Sequence, residues 1–247
     1  MDRRDRSGVA SFFWAESCAA GETVELAGDA LAHALVRRLE PGDAIRLVDG
    51  QGAVATGSLV EVMRRRVEAR IATVERVAQP SPLEVLVPVA DRDRMLWAAE
   101  KCVELEVTAW SAVRWARSQS VAGRGAGGRF AERVLGRMRS ALEQSGGAWL
   151  PEVRMEAAAG DALRAVPAGH QRILLEASAA PLSSVLRNGA VALAVGPEGG
   201  FDAGERDEAL AYGWVLASLG PSVLRFETAI IAGAAVVRAA QHSTRDG

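Results

Sequence analysis

The chain has 247 residues, enough for one large domain or two modest ones with real cores. Its formal net charge of −2 excludes a uniformly basic polyanion binder, so any nucleic-acid surface must come from locally clustered Arg, which supplies every basic residue except Lys101. Cys18 and Cys102 lie far apart without metal-ligand spacing, residues 9–15 are too short for a signal core, and the apolar run 229–237 is about half a membrane span. These features predict a soluble cytoplasmic protein with no metal site.

Residues up to about 76 read as short strands at 11–14, 23–26, 44–48, 53–60 and 67–74. Asp49-Gly50-Gln51-Gly52 is a hairpin signal between the third and fourth strands. One helix, 30–39, is expected between a cap at Asp29 and a stop at Pro41-Gly42. Short strands, tight turns and a single helix suggest a small β-barrel over residues 1–78. Arg clusters dot it: Arg3, Arg4 and Arg6; Arg37 and Arg38; Arg64, Arg65 and Arg66. Each is a phosphate contact or plain solvated surface.

Gln79-Pro80-Ser81-Pro82 marks a boundary, because two close prolines disfavour both helix and central strand. A second domain, 79–247, then opens with a strand at 83–89, a helix at 94–106 capped by Asp91 or Asp93, and a strand at 108–113, which together form a β-α-β unit. Residues 114–139 hold seven Arg against one acid, Glu132, with Trp110 and Trp115 alongside. Arg beside aromatic rings suits single-stranded RNA, while the tryptophans read equally as core.

Residues 191–195 are apolar enough for a strand buried on both faces, and Gly196-Pro197-Glu198-Gly199-Gly200-Phe201 follows at once. Asp202 and Glu205 have capping-box spacing, so a helix starts there. The pattern recurs with a strand at 214–219, a break at Gly220-Pro221 and a helix at 227–241. Two such loops side by side make a pocket at the carboxyl ends of strands, with Arg225 and Glu227 at its mouth. The first loop is neither a Walker A loop nor G-x-G-x-x-G, and Glu198 sits where a phosphate cradle avoids negative charge. That favours a neutral or cationic ligand. The alternative is a tight strand-to-helix turn with Glu198 in solvent.

Gly196-Pro197-Glu198-Gly199-Gly200-Phe201 and the run from Leu219 through Arg225-Phe226-Glu227-Thr228-Ala229 resemble the two C-terminal motifs of the RsmE family, bacterial 16S ribosomal RNA uridine-N3 methyltransferases of the SPOUT superfamily. Residues 33–43 resemble the family's N-terminal signature, and Lys101, Glu104, Leu105, Arg117-Ser118, residues 143–146, residues 150–152 and Glu176 also match. The resemblance implies a PUA-like β-barrel joined to an α/β domain: a C-terminal trefoil-knotted parallel sheet with helices on both faces. It implies S-adenosylmethionine as cofactor, a homodimer supported by Ile230, Ile231, Val236 and Val237, and 16S ribosomal RNA or the small subunit as substrate. Cofactor contacts are expected from Leu175, Glu176, Val195, Gly196, Pro197, Glu198, Gly199, Gly200, Leu219, Gly220, Val223, Leu224 and Thr228. RNA contacts are expected from Arg37, Arg38, Arg117, Arg124 and Arg129. The chain departs from the family pattern at Asp91 (usually Lys), Leu96 (Glu), Glu106 (Gly), Gly147 and Trp149 (Arg) and Phe226 (Thr).

Uracil N3 must lose a proton before it accepts a methyl group, and a fixed cation near its carbonyl oxygens stabilises the resulting charge. Arg225 is the candidate cation, and Glu227 either accepts the proton or holds Arg225. His33, His170 and His242 lie outside both loops, so no His base is expected. Three competing readings are a non-catalytic RNA binder with the same fold, a SPOUT methyltransferase acting on another RNA site, and an enzyme with a different nucleotide-like ligand.

Overall fold

The computed structural model describes residues 9–121 and 128–243. The chain divides into two compact units, Met1–Gln79 with Leu142–Trp149, and Pro80–Ala141 with Leu150–Gly247.

In the first unit, β1 (Ala10–Phe13), β2 (Thr23–Leu26), β3 (Ala44–Val48), β4 (Ala53–Met63) and β5 (Arg66–Arg76) form one sheet in the order β1-β3-β4-β5-β2. Only the β1–β3 pair is parallel. All five strands and α1 (Gly28–Val36) send side chains into one core built on Phe12, Leu26, Ala34, Ile45, Leu47, Leu59 and Ile71. Period-2 burial along β2 and β5 makes this possible. The helix begins two residues earlier than its polar signal suggests. Ala27 is its N-cap and Asp29 sits inside the first turn, where a carboxylate still favours the positive helix end. It ends at Val36, well before Pro41, because Arg38 takes a left-handed conformation (φ 54°).

The segment Leu142–Trp149 belongs to this unit although it lies far along the chain. Glu143 accepts the Phe13 N–H at 2.7 Å, Arg46 donates to the Gly147 carbonyl at 2.9 Å, and the Trp149 indole donates to the Val77 carbonyl at 3.1 Å.

The second unit holds β6 (Leu83–Pro88), β7 (Ala109–Arg114), β8 (Glu152–Ala158), β9 (Gln171–Leu175), β10 (Val191–Val195) and β11 (Val215–Ala217). They form a fully parallel sheet in the order β11-β9-β10-β6-β7-β8. Its helices are α2 (Arg92–Glu104), α3 (Gly128–Ser145), α4 (Ala159–Ala165), α5 (Leu182–Val185), α6 (Ala203–Ala211) and α7 (Phe226–Ser243). Of these, α3 runs on into the segment that packs with the first unit. A 3-10 turn covers Ala116–Val121.

Both faces of the sheet are covered, which explains the uninterrupted apolar run of β10. Ala192 and Ala194 share a core with Leu163 of α4 and Ala209 of α6. On the other face, α7 packs on β10 and β6. It comes close at Gly233, where a methyl group would stand 3.0 Å from Leu175 Cδ1 and 3.1 Å from Leu193 Cδ1. The buried Arg238 anchors α7 by donating to the Leu105 carbonyl at 3.2 Å and the Ser81 carbonyl at 3.0 Å. Trp110 and Trp115 are buried in this domain, which settles their role as packing rather than base stacking. Among the described residues no helix is long and apolar enough to cross a membrane.

Candidate active site

The carboxyl ends of β9, β10 and β11 lie next to one another, and the loops leaving them enclose a cavity of about 390 Å³. The two glycine loops are not immediate neighbours, because β9 runs between β10 and β11. Its end, Leu175-Glu176, supplies the third wall. The cavity brings together Leu175, Glu176, Val195, Gly196, Pro197, Glu198, Gly199, Gly200, Leu219, Gly220, Val223 and Leu224.

Local chemistry fixes each wall. The side chain of Asp202 accepts the Gly204 N–H at 2.9 Å while Glu205 accepts the Asp202 N–H at 2.9 Å, so a complete capping box starts α6 straight after the first loop. Within that loop the Gly200 N–H donates to the Pro197 carbonyl at 2.8 Å. Gly196 is required by close approach: a Cβ there would stand 3.2 Å from Gly200 C and Phe201 N. From outside, Arg117 donates to the Gly199 carbonyl, and the Phe201 ring meets Trp115 edge-on at 4.9 Å. The second loop is stitched down by Ser218, which had no signal in the sequence. Its hydroxyl accepts the Gly220 N–H at 3.0 Å and lies 3.1 Å from the Ala177 carbonyl. Arg206, also silent in the sequence, lines the cavity and donates to Glu176 at 3.1 Å.

A second cavity, of about 640 Å³, lies across the first loop and shares Pro197, Glu198 and Gly199 with the first. Val89, Ala90, Asp91, Arg94, Arg117 and Phe226 complete its lining. Asp91 caps α2, accepting the Asp93 and Arg94 N–H groups at 3.1 Å each, and so fixes the turn that carries Arg94. Arg94 donates to Glu198 at 2.7 Å and lies 3.7 Å from Glu227 Oε1. Glu227 is buried in the first turn of α7, and its Oε2 has no hydrogen-bond partner.

The remaining expected site residues fall elsewhere. Arg225 is exposed, Glu227 is buried, and neither lines a cavity; the partner of Glu227 is Arg94 rather than Arg225. Thr228, expected to touch the cofactor, is exposed within α7 and lines neither cavity. Arg37, Arg38 and Arg129 are exposed, Arg117 braces the first loop, and Arg124 lies outside the described residues. Of the departures from the family pattern, Asp91 and Phe226 share the second cavity, and Leu96 is buried.

The first cavity fits a neutral or cationic ligand held by backbone: it presents glycine backbone, two carboxylates and one guanidinium that is already paired with one of them. A family model for an RNA methyltransferase domain matches residues 77–238, and one for an RNA methyltransferase PUA domain matches residues 26–72. The chain is similar to the ribosomal RNA small subunit methyltransferase E of Mycobacterium bovis, with 30% identity over 90% of this chain and 88% of that one. It is 27% identical to the Rickettsia conorii protein of the same name, over 87% of this chain and 89% of that one. Among solved structures it resembles the Neisseria gonorrhoeae ribosomal RNA small subunit methyltransferase E bound to S-adenosyl methionine, at 30% identity and a TM-score of 0.82, covering 94% of this chain and 98% of that one.

Proposed function

This chain belongs to the RNA methyltransferase family of the small subunit methyltransferase E proteins, and on that premise we propose that it uses S-adenosylmethionine to methylate N3 of a uridine in 16S ribosomal RNA, in the cytoplasm. The observation that carries the reading is the cavity at the ends of β9, β10 and β11, which gathers twelve of the thirteen expected cofactor residues while Thr228 stands apart. When bound, the cofactor supplies an electrophilic methyl group on a sulfonium that departs as a neutral thioether. Backbone at 196–200 and 219–220 would hold it, with Glu176 and Glu198 favouring its positive charge.

The chain's own work is positioning and proton handling. Glu227, with a free carboxylate oxygen, takes the N3 proton. A guanidinium meets the charge left on the uracil oxygens, and among the loop residues Arg225 is the one the sequence offers. Exposed Arg37 and Arg38, with Arg129, grip RNA phosphates. Incubation with methyl-labelled cofactor and small ribosomal subunits or their RNA, followed by mapping of the modified base, tests the whole reading. Label absent from uridine N3 refutes it.

A homodimer is part of the proposal. Ile230 and Val237 belong to the core, but Ile231, Ala232, Ala235, Val236 and Ala239 form an uncharged outer stripe on α7. A second copy of the chain covers that stripe. A trefoil knot also fits the path, since β11 pairs with β9 on the side away from β10 and α7 then returns to lie on β10 and β6.

A further inference from the structure

We infer that the second cavity receives the acceptor uracil, and that Arg94, in place of Arg225, is the cation that meets the charge on its carbonyl oxygens. The inference rests on the function proposed above and assigns that reaction a pocket and a side chain.

Three observations converge. The cavity adjoins the first through Pro197, Glu198 and Gly199, so an occupant lies just across one loop from the methyl donor. Its walls combine apolar surface from Val89, Ala90, Pro197 and Phe226 with the guanidiniums of Arg94 and Arg117 and two carboxylates that already have partners, Asp91 on the α2 backbone and Glu198 on Arg94. Behind Arg94, outside the lining of the cavity, lies Glu227, 6% exposed, with one carboxylate oxygen 3.7 Å from the guanidinium and the other without a donor. A buried acceptor in that state lacks a donor, which a water relaying the imide proton supplies.

The two guanidiniums differ in availability. Arg117 is committed to the first loop: it donates to the Gly199 carbonyl, and its Cδ would stand 3.2 Å from a Cβ at Gly199. The partner of Arg94, Glu198, has a side chain 70% exposed, so that pairing is screened and easily exchanged for a ligand oxygen. As the N3–H bond breaks, the proton passes through an intervening water to Glu227 and later to solvent. The electron pair left on N3 spreads over both carbonyl oxygens, and the planar fork of Arg94 matches that spread better than a point charge. Arg225, exposed and lining neither cavity, has no such placement.

The test measures methyl transfer to small-subunit RNA, cofactor affinity by calorimetry, and thermal melting for Arg94→Ala, Arg94→Lys, Arg225→Ala and Glu198→Gln. Arg94→Ala should lower kcat at saturating cofactor by about a hundredfold or more, as loss of one charge-stabilising donor does elsewhere. The loss should shrink as pH rises and uracil ionises unaided. Arg94→Lys should recover part of the rate, and Arg225→Ala should cost less than about tenfold. A kcat within about threefold of wild type in Arg94→Ala overturns the inference. So does a loss confined to cofactor affinity and matched by Glu198→Gln, which would reduce Arg94 to a brace for the loop. A wild-type chain that binds the cofactor but leaves uridine N3 unmodified overturns the parent reading and this one together. An active wild type indifferent to Arg94 overturns this one alone.

Discussion

Replacing Gly196 with Ala tests the cofactor loop with a single carbon atom. The new Cβ does not enter the cavity; it points at the loop's own backbone, 3.2 Å from Gly200 C and Phe201 N and 3.4 Å from Gly200 Cα. Such contacts require a shift of a few tenths of an ångström, and the loop has little freedom to give. Arg117 holds Gly199, the Gly200 N–H is tied to Pro197, Phe201 packs on Trp115, and the capping box of α6 begins at Asp202. Overpacking a site pinned on all sides costs about 1–3 kcal/mol. If that cost falls on the bound conformation, affinity for S-adenosylmethionine drops about five- to a hundredfold, at 1.4 kcal/mol per tenfold. Gly196→Val, with two further carbons, should lose more. Calorimetric titration of wild type and both variants, with circular dichroism as the fold control, gives the answer. Wild-type affinity and an unchanged melting temperature in Gly196→Ala would refute the claim that this loop is a close-packed part of the binding site.

Four further outcomes are expected. Replacing Arg37 and Arg38, which carry no ion pair among the described residues, should flatten the plot of log RNA affinity against log salt by about 0.7–0.9 per lost phosphate contact, whereas replacing Arg66, already paired with Glu25, Glu61 and Glu68, should not. Glu106→Gly should hold or raise stability by up to about 1 kcal/mol in urea titrations: Glu106 sits at φ 53°, which glycine adopts freely, its own side chain is half exposed, and of the contacts it loses, 3.5 Å to His242 and 3.9 Å to the buried Arg238, the second leaves Arg238 bonded to the Leu105 and Ser81 carbonyls and to Gln241. Burial pushes the Cys102 thiol up to about 12, so it should resist thiol reagents at pH 8 in the native protein; since the unfolded thiol ionises near 9, the chain should lose stability between about pH 9 and 12, and Cys102→Ala should flatten that alkaline limb. Val236→Glu, at the centre of the uncharged stripe of α7, should give a monomer mass in light scattering, where the proposed dimer predicts twice that mass for wild type.

Much of the scaffold is readable locally. The hairpin at Asp49–Gly52, the Asp91 cap, the Asp202–Glu205 capping box and the apolar run of β10 all follow from chemistry between residues a few positions apart, and each appears in the fold. The glycines of both loops announce a backbone-walled cavity for the same reason: a position that excludes Cβ leaves a mark in the sequence itself. Long-range pairing leaves none. Nothing in the run of residues puts β9 between β10 and β11, or returns Leu142–Trp149 to the first unit. The Arg run at 114–139 reads as one basic surface, yet Arg117, though exposed, is bonded to the Gly199 carbonyl of the cofactor loop, while Arg129 is exposed on α3. Glu227 and its neighbour Arg225 suggest a local pair, but Arg94, 133 positions away, is the guanidinium beside it. Sequence determined which residues turn, cap and bury, because those preferences act over a few bonds. Tertiary structure alone decided which charges meet, because a strand order brings together side chains whose separation along the chain carries no energetic information.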